Sequence, residues 1–236
     1  MKLVETTTAP PGAILLARIS YAVIAAAIAV ALVIQFVNFF TGASDPNTVN
    51  GGENVGLGTR IWRGYSYFTV DSNIVVLIVS LLLVANPLRA GRWWDVARLN
   101  ALLAITITGL VYAIVLAPLV DPSGWSMVAN ILFHYVSPWA TVLAWLVFGP
   151  RPRFTWSTIP GAFVLPVIWL VYIFVQGAFT RWYPYPFLDV TEIGLGRALV
   201  NAALVIAAAA VLGVLVKLVD SRLPSALPDT TSRPAR

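Results

Sequence analysis

The sequence predicts an all-α polytopic membrane protein, six transmembrane helices in one bundle, and three observations carry that expectation. Of its 236 residues, 59% are hydrophobic and only 11% are charged, against about 25% charged in a soluble domain. Apolar runs of about 20 residues, the length that crosses a bilayer, recur along the whole chain. The Lys and Arg residues sit in short connections, most of them on one side of those runs.

Taken in order, residues 1–13 (MKLVETTTAPPGA) are polar and Pro-rich, a disordered lead-in. Span one covers about 14–40, too long for a signal-peptide core and without a small-residue cleavage site. A Gly/Asn-rich loop without apolar periodicity follows, from Thr41 to about Tyr65. Trp62, Tyr65 and Tyr67 form an interfacial aromatic belt leading into span two, about 67–85. Asn86-Pro87 ends it, because proline disfavours helix in the residue before it. Span three is about 98–119, closed by Pro118 and the turn Asp121-Pro122-Ser123-Gly124, and span four is about 127–148. Span five, about 158–179, carries Pro166 as a kink candidate. The aromatic loop Trp182-Tyr183-Pro184-Tyr185-Pro186-Phe187 is expected along the membrane interface. Span six is about 194–219, and 220–236 is a Pro/Ser/Arg-rich disordered tail.

The basic residues orient the chain. Arg89, Arg92 and Arg98 lie between spans two and three, Arg151 and Arg153 between four and five, and Lys217, Arg222, Arg233 and Arg236 at the end. The opposite connections hold few, Arg60 and Arg63 being balanced in part by Asp45 and Glu53. This pattern predicts a multi-pass plasma-membrane protein with both termini cytoplasmic. It also accounts for the net charge of +5 without any nucleic-acid partner. The absence of cysteine excludes disulfides, thiol chemistry and cysteine-ligated metals, and the single histidine excludes a multi-histidine metal or haem centre.

With that orientation, polar residues from five spans fall in the outer half of the bilayer: Gln35, Asn38, Thr69, Asp71, Asn73, Asn130, His134, Gln176, Arg197 and Asn201. Polar groups within membrane helices are costly and face a protein interior or a wet cavity, so this clustering predicts an outward-facing polar pocket. Asn130, His134 and Ser137 stand at i, i+4 and i+7 on one face, and Thr69 and Asn73 at i, i+4. Asp71 points away from Thr69 on a regular helix and is expected to face Arg197 or Arg63, since an unpaired buried carboxylate is expensive. Taken singly, Thr69 suits an N-cap or a back-bond to its own helix, and His134 an interhelical hydrogen bond.

The segments Ser66-Tyr67-Phe68-Thr69-Val70-Asp71-Ser72-Asn73 and His134-Tyr135-Val136-Ser137-Pro138 carry a resemblance. So do Trp145, Phe148-Gly149-Pro150-Arg151 and Trp182-Tyr183-Pro184-Tyr185-Pro186-Phe187. In order and position they resemble the bacterial six-helix membrane proteins of the androgen-induced / androgen-dependent TFPI-regulating protein superfamily, over about residues 14–220. The animal branch of that superfamily hydrolyses fatty acid esters of hydroxy fatty acids within the membrane, with a threonine nucleophile and a histidine. The resemblance implies a lipid-ester hydrolase in which Thr69 is the nucleophile and His134 its base, with Ser72 as a rival hydroxyl.

A threonine hydroxyl is a weak nucleophile until a base takes its proton, the task a neutral imidazole suits. Asn73, Asn130 and Asn201 are oxyanion-donor candidates by depth. Asp71 or Tyr172 can orient the imidazole. The substrate is a membrane lipid ester, and neither cofactor nor metal is expected. Two other readings use the same residues. In a lipid or small-molecule transporter or binding protein, Asp71 and Arg197 grip a charged group. In a structural membrane subunit without catalysis, Thr69 and His134 sit on different faces with separate partners.

Overall fold

The computed structural model describes residues 10–42 and 55–227. Among them are six helices long and apolar enough to cross a membrane and no β-sheet, the architecture of an all-α multi-pass membrane protein. The spans are α1 (Pro11–Thr41), α3 (Phe68–Ala85), α4 (Arg92–Leu119), α5 (Gly124–Phe148), α6 (Thr158–Thr180) and α7 (Leu195–Arg222). A short helix, α2 (Leu57–Gly64), precedes α3. An even number of crossings brings residues 10 and 227 to one side, here the terminus side; α1 ends and α3 begins on the far side. α4 is the most buried span and contacts α3, α5, the start of α6, and α7, while α6 and α7 are the least buried.

Several boundaries depart from the sequence expectation for physical reasons. α1 starts at Pro11 instead of about Ile14, since the fixed φ of proline suits the first helical position and its missing N–H has no partner there. Residues 1–9 of the expected lead-in and 228–236 of the expected tail lie outside the described residues, as do Asp45, Glu53, Arg233 and Arg236. The loop expected over 41–65 contains α2, whose Trp62 indole N–H donates to the Tyr172 hydroxyl at 2.9 Å. α4 begins at Arg92 rather than Arg98: Gly91, at φ 134°, turns the chain into the helix and its carbonyl accepts the Asp95 N–H at 2.9 Å, with the Asp95 carboxylate suited to the first turn. The tail does not break away at 220. α7 runs to Arg222, Asp220 is buried, and Leu227 packs into the core beside Tyr21.

Proline shapes the spans at three places. Pro166 cannot donate to the carbonyl of Ala162, four residues back. α6 breaks at Phe163, and the orphaned Ala162 carbonyl instead accepts a 2.6 Å bond from the Asn100 side-chain amide. In α4 and α5 the response is a π-turn, at Tyr112–Leu116 and Leu132–Val136. Each precedes a proline, Pro118 or Pro138. Proline removes an N–H and its ring crowds the carbonyl four residues back, and widening the turn relieves that crowding.

The α5 π-turn sits against α4 at Gly109. A Cβ built there would lie 2.9 Å from Cβ of Pro138 and 3.5 Å from the His134 carbonyl oxygen. Only a residue without a side chain permits this approach. Gly109→Leu is expected to push α5 away and lower stability by about 1–3 kcal/mol or more, read as a lower unfolding midpoint of the purified protein. An unchanged midpoint would show that the α4–α5 contact has slack.

Candidate active site

Thr69, the second residue of α3, and His134, inside the α5 π-turn, meet in the core; both are buried. Thr69 Oγ1 lies 3.3 Å from His134 Nε2. On the other side of the imidazole, Nδ1 is 3.0 Å from the backbone carbonyl of Asn130. A carbonyl can only accept, so Nδ1 carries the hydrogen and Nε2 presents its lone pair to the Thr69 hydroxyl. The orienting group is therefore a main-chain oxygen of the same helix. Asp71 and Tyr172, the side chains expected in that role, do not serve it.

The π-turn builds the surrounding network. The Ser137 N–H bonds to the Leu132 carbonyl, five residues back, leaving the Phe133 carbonyl without its α-helical partner. That oxygen accepts instead from the Asn73 side-chain amide at 3.3 Å, with the Ser137 hydroxyl oxygen 3.2 Å away. Asn73 also donates to the Thr69 carbonyl at 2.8 Å, and Ser137 donates to Asn73 Oδ1. These bonds tie the first turn of α3 to the π-turn of α5, fixing Thr69 against His134. The Tyr112 ring, from the other π-turn, stacks on the imidazole with centroids 3.8 Å apart and planes at 16°. Its hydroxyl donates to Asn130 Oδ1 at 2.7 Å, which fixes the helix that supplies the orienting carbonyl.

Tyr185 completes the site. Its hydroxyl oxygen lies 3.3 Å from Thr69 Oγ1 and accepts from the Thr69 N–H at 3.2 Å. With that oxygen occupied as acceptor and the Thr69 hydroxyl directed to His134, the Tyr185 O–H points its proton at Thr69 Oγ1. Burial pushes the Tyr185 phenol up to about 12, so it remains a protonated donor at neutral pH. The aromatic loop was expected to lie along the interface. Instead Tyr183, Tyr185 and Leu188 turn inward and are buried. Gly177 makes room: a Cβ there would sit 2.3 Å from the Tyr183 ring. Tyr185 and Tyr112 are not legible as site residues in the sequence, because loop and aromatic hydroxyls read as interface anchors, and Thr108, inside α4, reads as a back-bond to its own helix.

The remaining sequence candidates separate. Ser72 donates to the Thr69 carbonyl at 3.0 Å and pairs with Thr108 at 2.9 Å, turned away from His134. Asp71 is half-buried in the first turn of α3, where the helix N-terminus favours a carboxylate, and Arg197 is exposed; the two form no ion pair. Tyr172 bonds to Trp62 and Ser66. The Gln176 amide donates to the Trp182 carbonyl and the Asn201 amide to the Phe187 carbonyl, both holding the aromatic loop. Asn38 donates to Ser126. The expected polar pocket shared by five spans is thus several separate networks. The cavity beside Thr69 is instead an apolar groove between α4, α6 and α7.

Among the described residues no three His, Asp or Glu side chains gather as a metal site would require. Comparison with protein families, curated proteins and solved structures finds no match to this chain.

Proposed function

We propose that this protein is an integral membrane hydrolase of lipid esters, of the fatty acid ester of hydroxy fatty acid type, working through a Thr69–His134 dyad. The observation that carries the reading is the Thr69 hydroxyl within 3.3 Å of a histidine nitrogen whose lone pair faces it. A structural subunit predicts separate partners for the two residues, and a charged-ligand transporter needs the Asp71–Arg197 grip; neither arrangement is present among the described residues. The resemblance to the androgen-induced superfamily supports the same assignment. Following the distribution of Lys and Arg, the chain lies in the plasma membrane with its termini cytoplasmic and Thr69 toward the outer leaflet.

In the acylation step, Thr69 Oγ1 attacks the ester carbonyl as its proton passes to His134 Nε2. The Asn130 carbonyl holds the Nδ1–H, so the imidazolium keeps its position, and the stacked Tyr112 ring offers its π face to the positive charge. The Tyr185 O–H, next to the attacked carbon, donates to the developing oxyanion. When the tetrahedral intermediate collapses, the C–O bond to the alcohol breaks and Nε2–H protonates the leaving alkoxide. A water molecule, deprotonated by the same nitrogen, then releases the fatty acid and restores the Thr69 hydroxyl.

The test is hydrolysis of a medium-chain aryl ester and a branched lipid ester by purified protein, with folding of each variant checked by melting. Thr69→Ala is expected to lose activity and Ser72→Ala to keep most of it. Tyr185→Phe, missing one oxyanion donor, should lower kcat by about 10²–10³-fold. Activity that survives Thr69→Ala but not Ser72→Ala would move the nucleophile to Ser72. A folded wild-type protein inert on both esters would end the hydrolase reading.

A further inference from the structure

We propose that the groove beside Thr69 is a closed-ended slot that binds one unbranched acyl chain and measures its length. One end is formed by Thr69 and Tyr185, and no charged side chain lines any part of it. Of its polar members, Thr108 is paired with Ser72 and the Trp169 indole N–H donates to the Ser66 carbonyl, so neither offers an unused group to a headgroup. A hydrocarbon chain is the occupant such a surface accepts. Its functional end must lie at the hydroxyl cluster.

From the level of Thr69 the slot's wall on α4 runs from Val111 to Leu103, about 12 Å at 1.5 Å per residue. Ala104, Ala202 and Ala209 leave the space that larger side chains would fill. Toward the terminus side it closes. There Leu103 of α4, Ile159 of α6 and Leu212 and Val216 of α7 belong to one packed apolar cluster. Each added methylene gains burial until the chain meets this floor, beyond which it has nowhere to extend.

Which end of the chain reacts rests on the hydrolase reading; binding of the chain does not. The experiment therefore reads both. Protein in nanodiscs is loaded with a fluorescent polyene fatty acid, which is displaced by saturated fatty acids of increasing length. Hydrolysis of aryl esters of the same lengths is followed in parallel. Wild type should bind more tightly with each added methylene up to a limiting length. In Ala209→Trp, with the lower slot filled, that limit should shorten and the longest chains bind at least about tenfold more weakly. Ala207→Trp, on the exposed side of α7 and outside the slot, should retain the wild-type length series. A shortened binding limit without any ester hydrolysis supports the slot while the hydrolase reading fails. The same length dependence in wild type and Ala209→Trp, or no limiting length in wild type, overturns the slot even if esters are hydrolysed.

Discussion

Replacing His134 with alanine is expected to lower kcat for ester hydrolysis by about 10²–10⁴-fold, the contribution of a positioned general base. The expectation follows from direction as well as distance. The Asn130 carbonyl commits Nδ1 as donor, leaving Nε2 as the one ring atom able to take the Thr69 proton. A nucleophile and its base act as a unit, so the double variant Thr69→Ala/His134→Ala should be hardly worse than either single variant. If the double variant instead loses the product of the two single losses, the residues act independently and the dyad is wrong. His134 also stacks on Tyr112 in the core, so the comparison is made on variants whose unfolding midpoints have been measured. His134→Gln, which fills more of the space but is no base at neutral pH, should be as inactive as His134→Ala.

Arg151→Ala is expected to destabilise the fold by about 2–4 kcal/mol, since hydrogen bonds to charged groups are the stronger ones and their buried acceptors are left unpaired. Arg151 is buried on the terminus side, with its guanidinium 4.8 Å above the Trp145 ring. It donates to the Trp145 and Leu146 carbonyls at 2.6 and 2.8 Å, at the end of α5, and to the Pro224 carbonyl at 2.7 Å. Helix C-termini expose carbonyls that need such donors. The same contact fastens the chain after α7, where the Ala226 N–H also bonds to the Val147 carbonyl at 3.0 Å. Beside it the Asp220 carboxylate accepts the Arg153 and Phe154 N–H groups at 2.7 and 2.8 Å. Arg151→Lys should recover only part of the loss, because an ammonium cannot reproduce the planar fork that reaches three carbonyls. Unfolding of purified protein measures the effect; a midpoint equal to wild type for Arg151→Ala would mean that this clasp contributes nothing.

The sequence by itself determined the six apolar spans, because hydrophobic length is a local property that needs no partner to be read. It determined, too, that Thr69, Asn73 and His134 lie at one depth, since rise per residue converts position along a span into height. Which of the equally deep groups meet was decided by the tertiary structure. Asn38, Gln176 and Asn201 share that depth yet serve other contacts, because depth leaves the direction around each helix open. Direction in turn depended on the π-turns: one extra residue in a turn rotates everything after it by about 100°, so regular spacing cannot carry a face past Leu132. The orienting group was hidden for a related reason, being a backbone carbonyl that every residue possesses. Tyr185 came from a loop whose aromatic residues suit an interface and a core equally well. Only the space left by Gly177 and the docking of Tyr183 in it turn that loop inward onto Thr69.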